Sequence, residues 1–335
     1  MLRRLEQRLP IGSLAAVFGV RSRAQVARDL RHIARELLGG DQLGVGLSSA
    51  GLLRPTLGVP AYLGLRRSDG VAPIFNLFDR VGGGLGFRST VTRVTCRDYR
   101  GGRLTYDEHD GTDVVCPPGT PVVAAAPGVL VATRDTFFRG GLTACVDHGG
   151  VVTQYTHLAR VTVERGARLE RGEAFAVSGC AGVDMIAGFP WVPPHVHFMV
   201  WRRGVPVDPF VRDDEDEAAG AWLHRNDPRT SAALPGDPSP PRLDDIAVDL
   251  AAVDALASRC RSPRVRDELA RVDHPASRAA IIEDSLHHDR SAWPEGLDPS
   301  VMRPSPPPSS LRITLPLPAS EYRRAAPADA PWTRP

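Results

Sequence analysis

GTPVVAAAPGVLVATRDTFFRGGLTACVDHGGVVTQYTHL, residues 119–158, is the stretch whose reading decides the fold. Short runs rich in apolar and β-branched residues (PVVAAA, GVLVAT, LTACVDH, GVVTQYTHL) alternate with turns made by Gly and Pro, which is the pattern of successive β-strands. The same texture continues outward, with TVTRVTC at 90–96 on one side and AFAVSG at 174–179 and HVHFMVW at 195–201 on the other. Helical periodicity is almost absent between these runs. That excludes a doubly wound α/β domain, in which each strand leads into a helix. The expectation is a mainly β chain whose central unit, residues 86–212, is an antiparallel β-sheet domain.

The flanks read differently. Residues 1–85 mix helix and loop: Val26, Leu30, Ile33, Leu37 and Leu38 recur at helical spacing before Gly39 and Gly40, predicting a helix over Arg23–Leu38 packed on the main domain. Gly82–Gly86 (GGGLG) lacks both G-x-G-x-x-G and the Walker lysine, so it reads as a linker and not as a phosphate-binding turn. Past the acidic run DDEDE at 213–217, residues 213–298 read as a linker and helical extension. Leu243–Ser258 carries Ile246, Val248, Leu250, Val253 and Leu256, Ser262 caps a second helix with Pro263 in its first turn, and a third surrounds Ile281. Residues 299–335 are proline-rich and are expected to form a disordered tail.

A chain of 335 residues is long enough for more than one unit and for a proper core. Its 41 basic residues, all arginine, are balanced by 39 acidic ones, and no basic stripe stands out. A dedicated nucleic-acid binder is thereby excluded. No stretch approaches the roughly 18 to 20 apolar residues of a membrane helix. Ile11–Val20 has the length of a signal-peptide core, but Glu6 precedes it and arginines follow without an A-x-A-like cleavage site, so it does not read as one. Cys96, Cys116, Cys145, Cys180 and Cys260 show no C-x-x-C spacing, which argues for buried free thiols over a cysteine zinc site or a redox motif.

Three separated motifs carry the chemistry. His195 and His197 stand two apart on an apparent strand, so both imidazoles share one face, with Cα atoms about 6.6 Å apart. His109 and Asp113 are competent metal ligands, and the segment between them has to bend for both to reach one ion; Gly111 is the residue that supplies the bend. His157 ends the strand-like run GVVTQYTHL, and nothing local distinguishes it from His148 in the turn CVDHGG.

In this order, HDGTD, YTHL and HVHF resemble the signature set of peptidase family M23, the lysostaphin/LytM-type zinc metallopeptidases. GTPVVAAAPGVLVAT, VERGARLERGEAFAVSG and RGVPVDPF are similar to that family's hairpin, turn-rich segment and closing strand, so the resemblance covers about residues 105–210. It implies one zinc ion per chain held by His109, Asp113 and His197, with His157 and His195 as non-ligand catalytic histidines. His148 corresponds to no functional position, and His287-His288-Asp289 falls outside the matched region. The implied activity is zinc-dependent hydrolysis of peptide bonds in peptidoglycan stem peptides or cross-links, which places the action outside the cytoplasm. A catalytically weak scaffold or regulator of other cell-wall hydrolases is the alternative. Two departures bear on substrate: Gly182–Pro194 is long and apolar, with Phe189 and Trp191 either lining the cleft or packing beneath a loop, and Met199 stands where the family often has an acidic residue.

Overall fold

The computed structural model describes residues 14–38, 52–76, 78, 109–136, 140–207, 209, 229–288, 292–304 and 311–328. The run at 90–96, Cys96, Gly82–Gly86 and the acidic run at 213–217 lie outside them. The predicted strands that fall among the described residues are present as β3 (Pro121–Val123), β4 (Gly128–Thr136), β5 (Gly141–Asp147), β6 (Val151–Val161), β8 (Ala174–Ser178) and β9 (His195–Arg202), and β2 (Thr112–Val115), which no predicted run covers, joins them. β1 (Val71–Asn76), β7 (Arg168–Leu169), β10 (Val205–Val207) and β11 (Arg324–Pro327) complete an 11-stranded sheet whose main path runs β11-β1-β2-β9-β6-β5-β4-β7. Every pairing is antiparallel except β1 with β11.

Alternation along the strands divides the side chains between two faces. On one face Ile74, Val114, Leu130, Tyr155, Phe175 and Phe198 form a continuous core. The other face carries two separate clusters. Val129, Val131, Val152, Met199 and Trp201 lie under helices from Leu250–Ser258, Pro263–Ala270 and Pro275–His288. Phe75, Val115, Cys180, Met185 and Val192 pack with Val17 and Ala61 of two short helices, Leu14–Val17 and Pro55–Tyr62. In chain order the helices are α1 (Leu14–Val17), α2 (Arg23–Leu38), α3 (Pro55–Tyr62), α4 (Val183–Ala187), α5 (Leu250–Ser258), α6 (Pro263–Ala270) and α7 (Pro275–His288). Asp113, His195 and His197 stand between these two covers.

Helix α2 has the predicted bounds. Among its described side chains Gln25 and Asp29 are buried and Leu30 is exposed, while those of Ile33, Leu37 and Leu38 lie outside the described residues. Gln25 Nε2 donates to Gly19 O and to Asp29 Oδ2, so a polar network joins this helix to the turn that follows α1. Ser262 caps α6 as expected, accepting from Val265 N, with Pro263 in the first turn. Cys116, Cys145, Cys180 and Cys260 are buried free thiols.

Two expectations are corrected. Residues 1–85 contribute β1 to the sheet, a strand disguised by its proline. Pro73 lacks the N–H that a central strand needs, and β1 nonetheless has neighbours on both sides. The tail, expected to be disordered, is ordered over 311–328 and enters the core. Leu311, Ile313, Leu315 and Leu317 alternate with polar or proline positions and are all buried, while Thr314 N donates to Ala125 O and Val123 N to Pro316 O. The alternation is a strand signal that the proline count obscured.

Buried ion pairs fasten the C-terminal cover. Arg303 is 1% exposed and binds Glu283 of α7 through both Nε and Nη2, at 2.5 and 2.8 Å, and Asp147 of β5 through Nη1 at 2.6 Å. Arg134 of β4 pairs with Asp284 of α7 and, at 2.9 Å, with Glu268 of α6. Burial pushes the Glu283 carboxyl up, against the pull of Arg303. Removing one member of such a group strands the remaining charges and costs about 3–5 kcal/mol. Arg303→Leu is therefore expected to lower unfolding free energy by that amount in a guanidinium titration; a midpoint equal to wild type would show that Asp147 and Glu283 are solvated or neutral.

Candidate metal centre

The site is assembled by strand register. Asp113 of β2 lies opposite His197 of β9, and His197 lies opposite Thr156 of β6. Being cross-strand neighbours on one face, Asp113 and His197 meet directly, and His197 Nδ1 donates to Asp113 Oδ1 at 2.7 Å. His109 precedes β2 and places Nε2 3.1 Å from Asp113 Oδ2. One ligand atom from each of His109, Asp113 and His197 can be chosen so that all lie within 4.8 Å of one another. Two imidazoles and a carboxylate suit zinc, and three protein ligands leave a fourth position open, as a catalytic site requires.

Gly111 fits this site for a reason other than the expected one. Its φ is not in the left-handed region. A Cβ there would come within 2.7 Å of the His197 ring and 2.9 Å of Phe198 O. The constraint is close approach.

His195 is two positions before His197 on the same face, with Nε2 3.5 Å from Asp113 Oδ1 and its ring packed edge-on against Phe75 at 4.9 Å. By simple alternation His157 would point with Tyr155 into the opposite core. Between the pairs Ala144↔Tyr155 and Leu142↔Leu158, however, β6 holds one residue more than β5, and His157 takes φ 62°. This bulge re-aims its side chain. The His157 ring lies 4.8 Å from that of His195 and 6.2 Å from that of His197. Gly141 admits the neighbouring loop, since a Cβ there would fall 2.3 Å from the Cβ of Ala181.

His157 and His195 share one hydrogen-bonding arrangement. His157 Nδ1 is 2.7 Å from Ala181 O, and His195 Nδ1 is 2.8 Å from Pro193 O. A carbonyl only accepts, so each Nδ1 carries the proton, and in the neutral ring Nε2 is the basic atom. Burial pushes His195 down to about 4, keeping it neutral at pH 7. His197 behaves oppositely: burial works against its charge, but the carboxylates of Asp110 and Asp113 push it up to about 10. Asp113 is held well below the usual carboxylate range, burial notwithstanding, by His109, His195 and His197. The site favours positive charge.

All five residues singled out in the sequence come together here. Asp110, the residue after His109, also faces this imidazole, with Oδ1 3.4 Å from His197 Nε2. His287 of α7, which falls outside the region matched to the family, lies next to it, with Nδ1 3.7 Å from Asp110 Oδ2. The His287-His288-Asp289 run signalled it only as a sequence cluster; the side chain of His288 and residue Asp289 are outside the described residues. Met199 is fully buried beneath the C-terminal helices, where an acidic side chain would be desolvated. Phe189 stacks edge-on against Phe18 and Tyr62, at 5.4 and 4.8 Å, and both it and Trp191 remain about half exposed.

Residues 107–209 match the family model described as peptidase family M23. Peptidoglycan DD-endopeptidase ShyA of Vibrio cholerae is 36% identical over 101 residues, 30% of this chain and 22% of that protein. DD-carboxypeptidase/endopeptidase Mpg of Neisseria gonorrhoeae is 30% identical over 105 residues, 31% of this chain and 23% of that one. The chain thus spans less than a quarter of the length of either relative. A zinc-containing peptidase of solved structure from Vibrio cholerae aligns at 24% identity over 44% of this chain and 45% of that one, with a TM-score of 0.29.

His148 serves the fold and not this site. It is buried, with Nδ1 2.8 Å from Pro127 O and Nε2 2.8 Å from Thr153 Oγ1, and burial pushes it down to about 4. The unfolded chain takes up this proton near pH 6.5 and the folded chain only near 4, so stability is complete at neutral pH and falls as pH drops through that window. The expected contribution is about 3 kcal/mol. Urea unfolding of chelated protein at pH 7 and at pH 4.5 should show a smaller acid loss in His148→Gln than in wild type; equal losses would place the proton elsewhere.

Proposed function

We propose that this chain, whose residues 107–209 form a peptidase family M23 domain, is a zinc-dependent endopeptidase that hydrolyses peptide bonds in peptidoglycan stem peptides or cross-links. The observation that carries the reading is the convergence of His109, Asp113 and His197 beside two histidines whose Nδ1 protons are committed to backbone carbonyls. The peptidoglycan DD-endopeptidase activity of ShyA supports the substrate class. That substrate implies action outside the cytoplasm. No helix among the described residues is long and apolar enough to cross a membrane.

His109, Asp113 and His197 would hold one zinc ion. Bound there, zinc would supply Lewis acidity, polarising the scissile carbonyl and lowering the pKa of a water toward about 7. His157 and His195 handle protons. Each presents a basic Nε2, so either can accept the proton of the attacking water and return it to the departing amine. Their fixed tautomers matter because a ring free to rotate would present the protonated nitrogen as often as the basic one. A scaffold without turnover needs neither histidine.

The expected result is one zinc per chain in purified wild-type protein, with His109→Ala, Asp113→Ala and His197→Ala each losing it. His157→Ala and His195→Ala should keep near-stoichiometric zinc while turnover falls by about 10²- to 10⁴-fold. Elemental analysis and mass spectrometry of digested muropeptides on the same preparations check both halves. Stoichiometric zinc in Asp113→Ala, or an inert zinc-loaded wild type, would overturn the reading.

A further inference from the structure

We propose that Asp110 and His287 are positioning residues of the metal centre, through which the C-terminal helical extension sets the orientation of the His197 ring. The inference rests on the zinc reading above and extends it beyond residues 107–209, since α7 lies outside the region matched to the family.

His197 is gripped at both nitrogens. Nδ1 faces Asp113 at 2.7 Å and Nε2 faces Asp110 at 3.4 Å, so the ring is flanked by two carboxylates from one short segment. The nitrogen that a histidine offers to a metal is set by what its other nitrogen donates to, and such outer partners typically affect metal affinity 10- to 100-fold. Asp110 is that partner here. Its own second oxygen lies 3.7 Å from Nδ1 of His287, within ion-pair range.

His287 is held where it is by the heaviest anchoring on the extension. It is fully buried, and its ring is 5.6 Å from that of Trp201 on β9, the strand that carries His197. One turn earlier on α7, Glu283 is bound bidentately by Arg303, and the adjacent Asp284 is bound by Arg134 and Gln154. These ties fix the register of α7 on the sheet. A buried carboxylate and imidazole facing each other so near the site act as structure only if the rest of the centre is indifferent to them, and His197 is not.

Zinc affinity of the full chain, measured by competition with a chromophoric chelator, tests this alongside guanidinium midpoints in excess chelator. Asp110→Ala should bind zinc about 10- to 100-fold more weakly. Asp110→Asn, which keeps an acceptor oxygen, should recover part of that loss. His287→Leu should weaken binding by a smaller factor than Asp110→Ala, and His287→Asn, which keeps a polar group near the Nδ1 position, should restore some of it. Wild-type affinity in both Asp110→Ala and His287→Leu would overturn the proposal, as would affinity losses that only track the loss of fold in chelator. His109→Ala distinguishes this from the underlying reading: zinc kept there sinks the ligand set, whereas zinc lost there with wild-type affinity in Asp110→Ala sinks the positioning role alone.

Discussion

The register of β2, β9 and β6 is the constraint on which the rest depends. Asp113, His197 and Thr156 form one row across three neighbouring strands. A slip of a single residue would turn His197 into the opposite core and bring Val196 or Phe198 out. What prevents the slip is burial on that opposite face, where Val114, Val196 and Phe198 are all 0% exposed. Each is worth about 1.5–3 kcal/mol against exposure, so a misregistered sheet loses several kcal/mol before any polar contact is counted. The polar site is therefore specified largely by apolar residues that never touch it.

His157 is not placed by the row. Its backbone sits at φ 62°, a region that costs a side-chain-bearing residue on the order of 1–3 kcal/mol. Several bonds hold it there: His157 N donates to Gly140 O, Gly179 N donates to His157 O, and Nδ1 donates to Ala181 O. The loops that supply these carbonyls and amides are thus part of the reason His157 faces His195. A regular β6 would remove the strain and with it the second histidine.

These physical differences decide what was legible in the sequence. Period-two alternation revealed the strands, and the i, i+2 spacing of His195 and His197 put both on one face. Gly111 was noticed, but its role as a clearance for the His197 ring depends on packing between strands distant in sequence. The bulge at His157 left no local mark, because YTHL reads as an ordinary strand end; only the resemblance to a family separated it from His148. The C-terminal cover was read as helices without a place to sit. Long-range ion pairs such as Arg303 with Asp147, 156 positions apart, cannot be read from spacing. The tail's L-R-I-T-L-P-L was legible as a strand-like run and was outweighed by proline content.

The charges at the centre also explain why its surroundings are so closely tied. Asp110 and Asp113 face the two nitrogens of one imidazole and are themselves buried, and two buried carboxylates are unfavourable without a compensating positive charge. A proton on His197 compensates one of them. A divalent ion with His197 neutral would compensate both. Desolvation is maintained by the covers on either side, the N-terminal helices beside His195 and the C-terminal helices beside Met199 and Trp201. Removing either cover would admit water, screen the carboxylates and weaken the preference for positive charge that the sheet's register alone sets up.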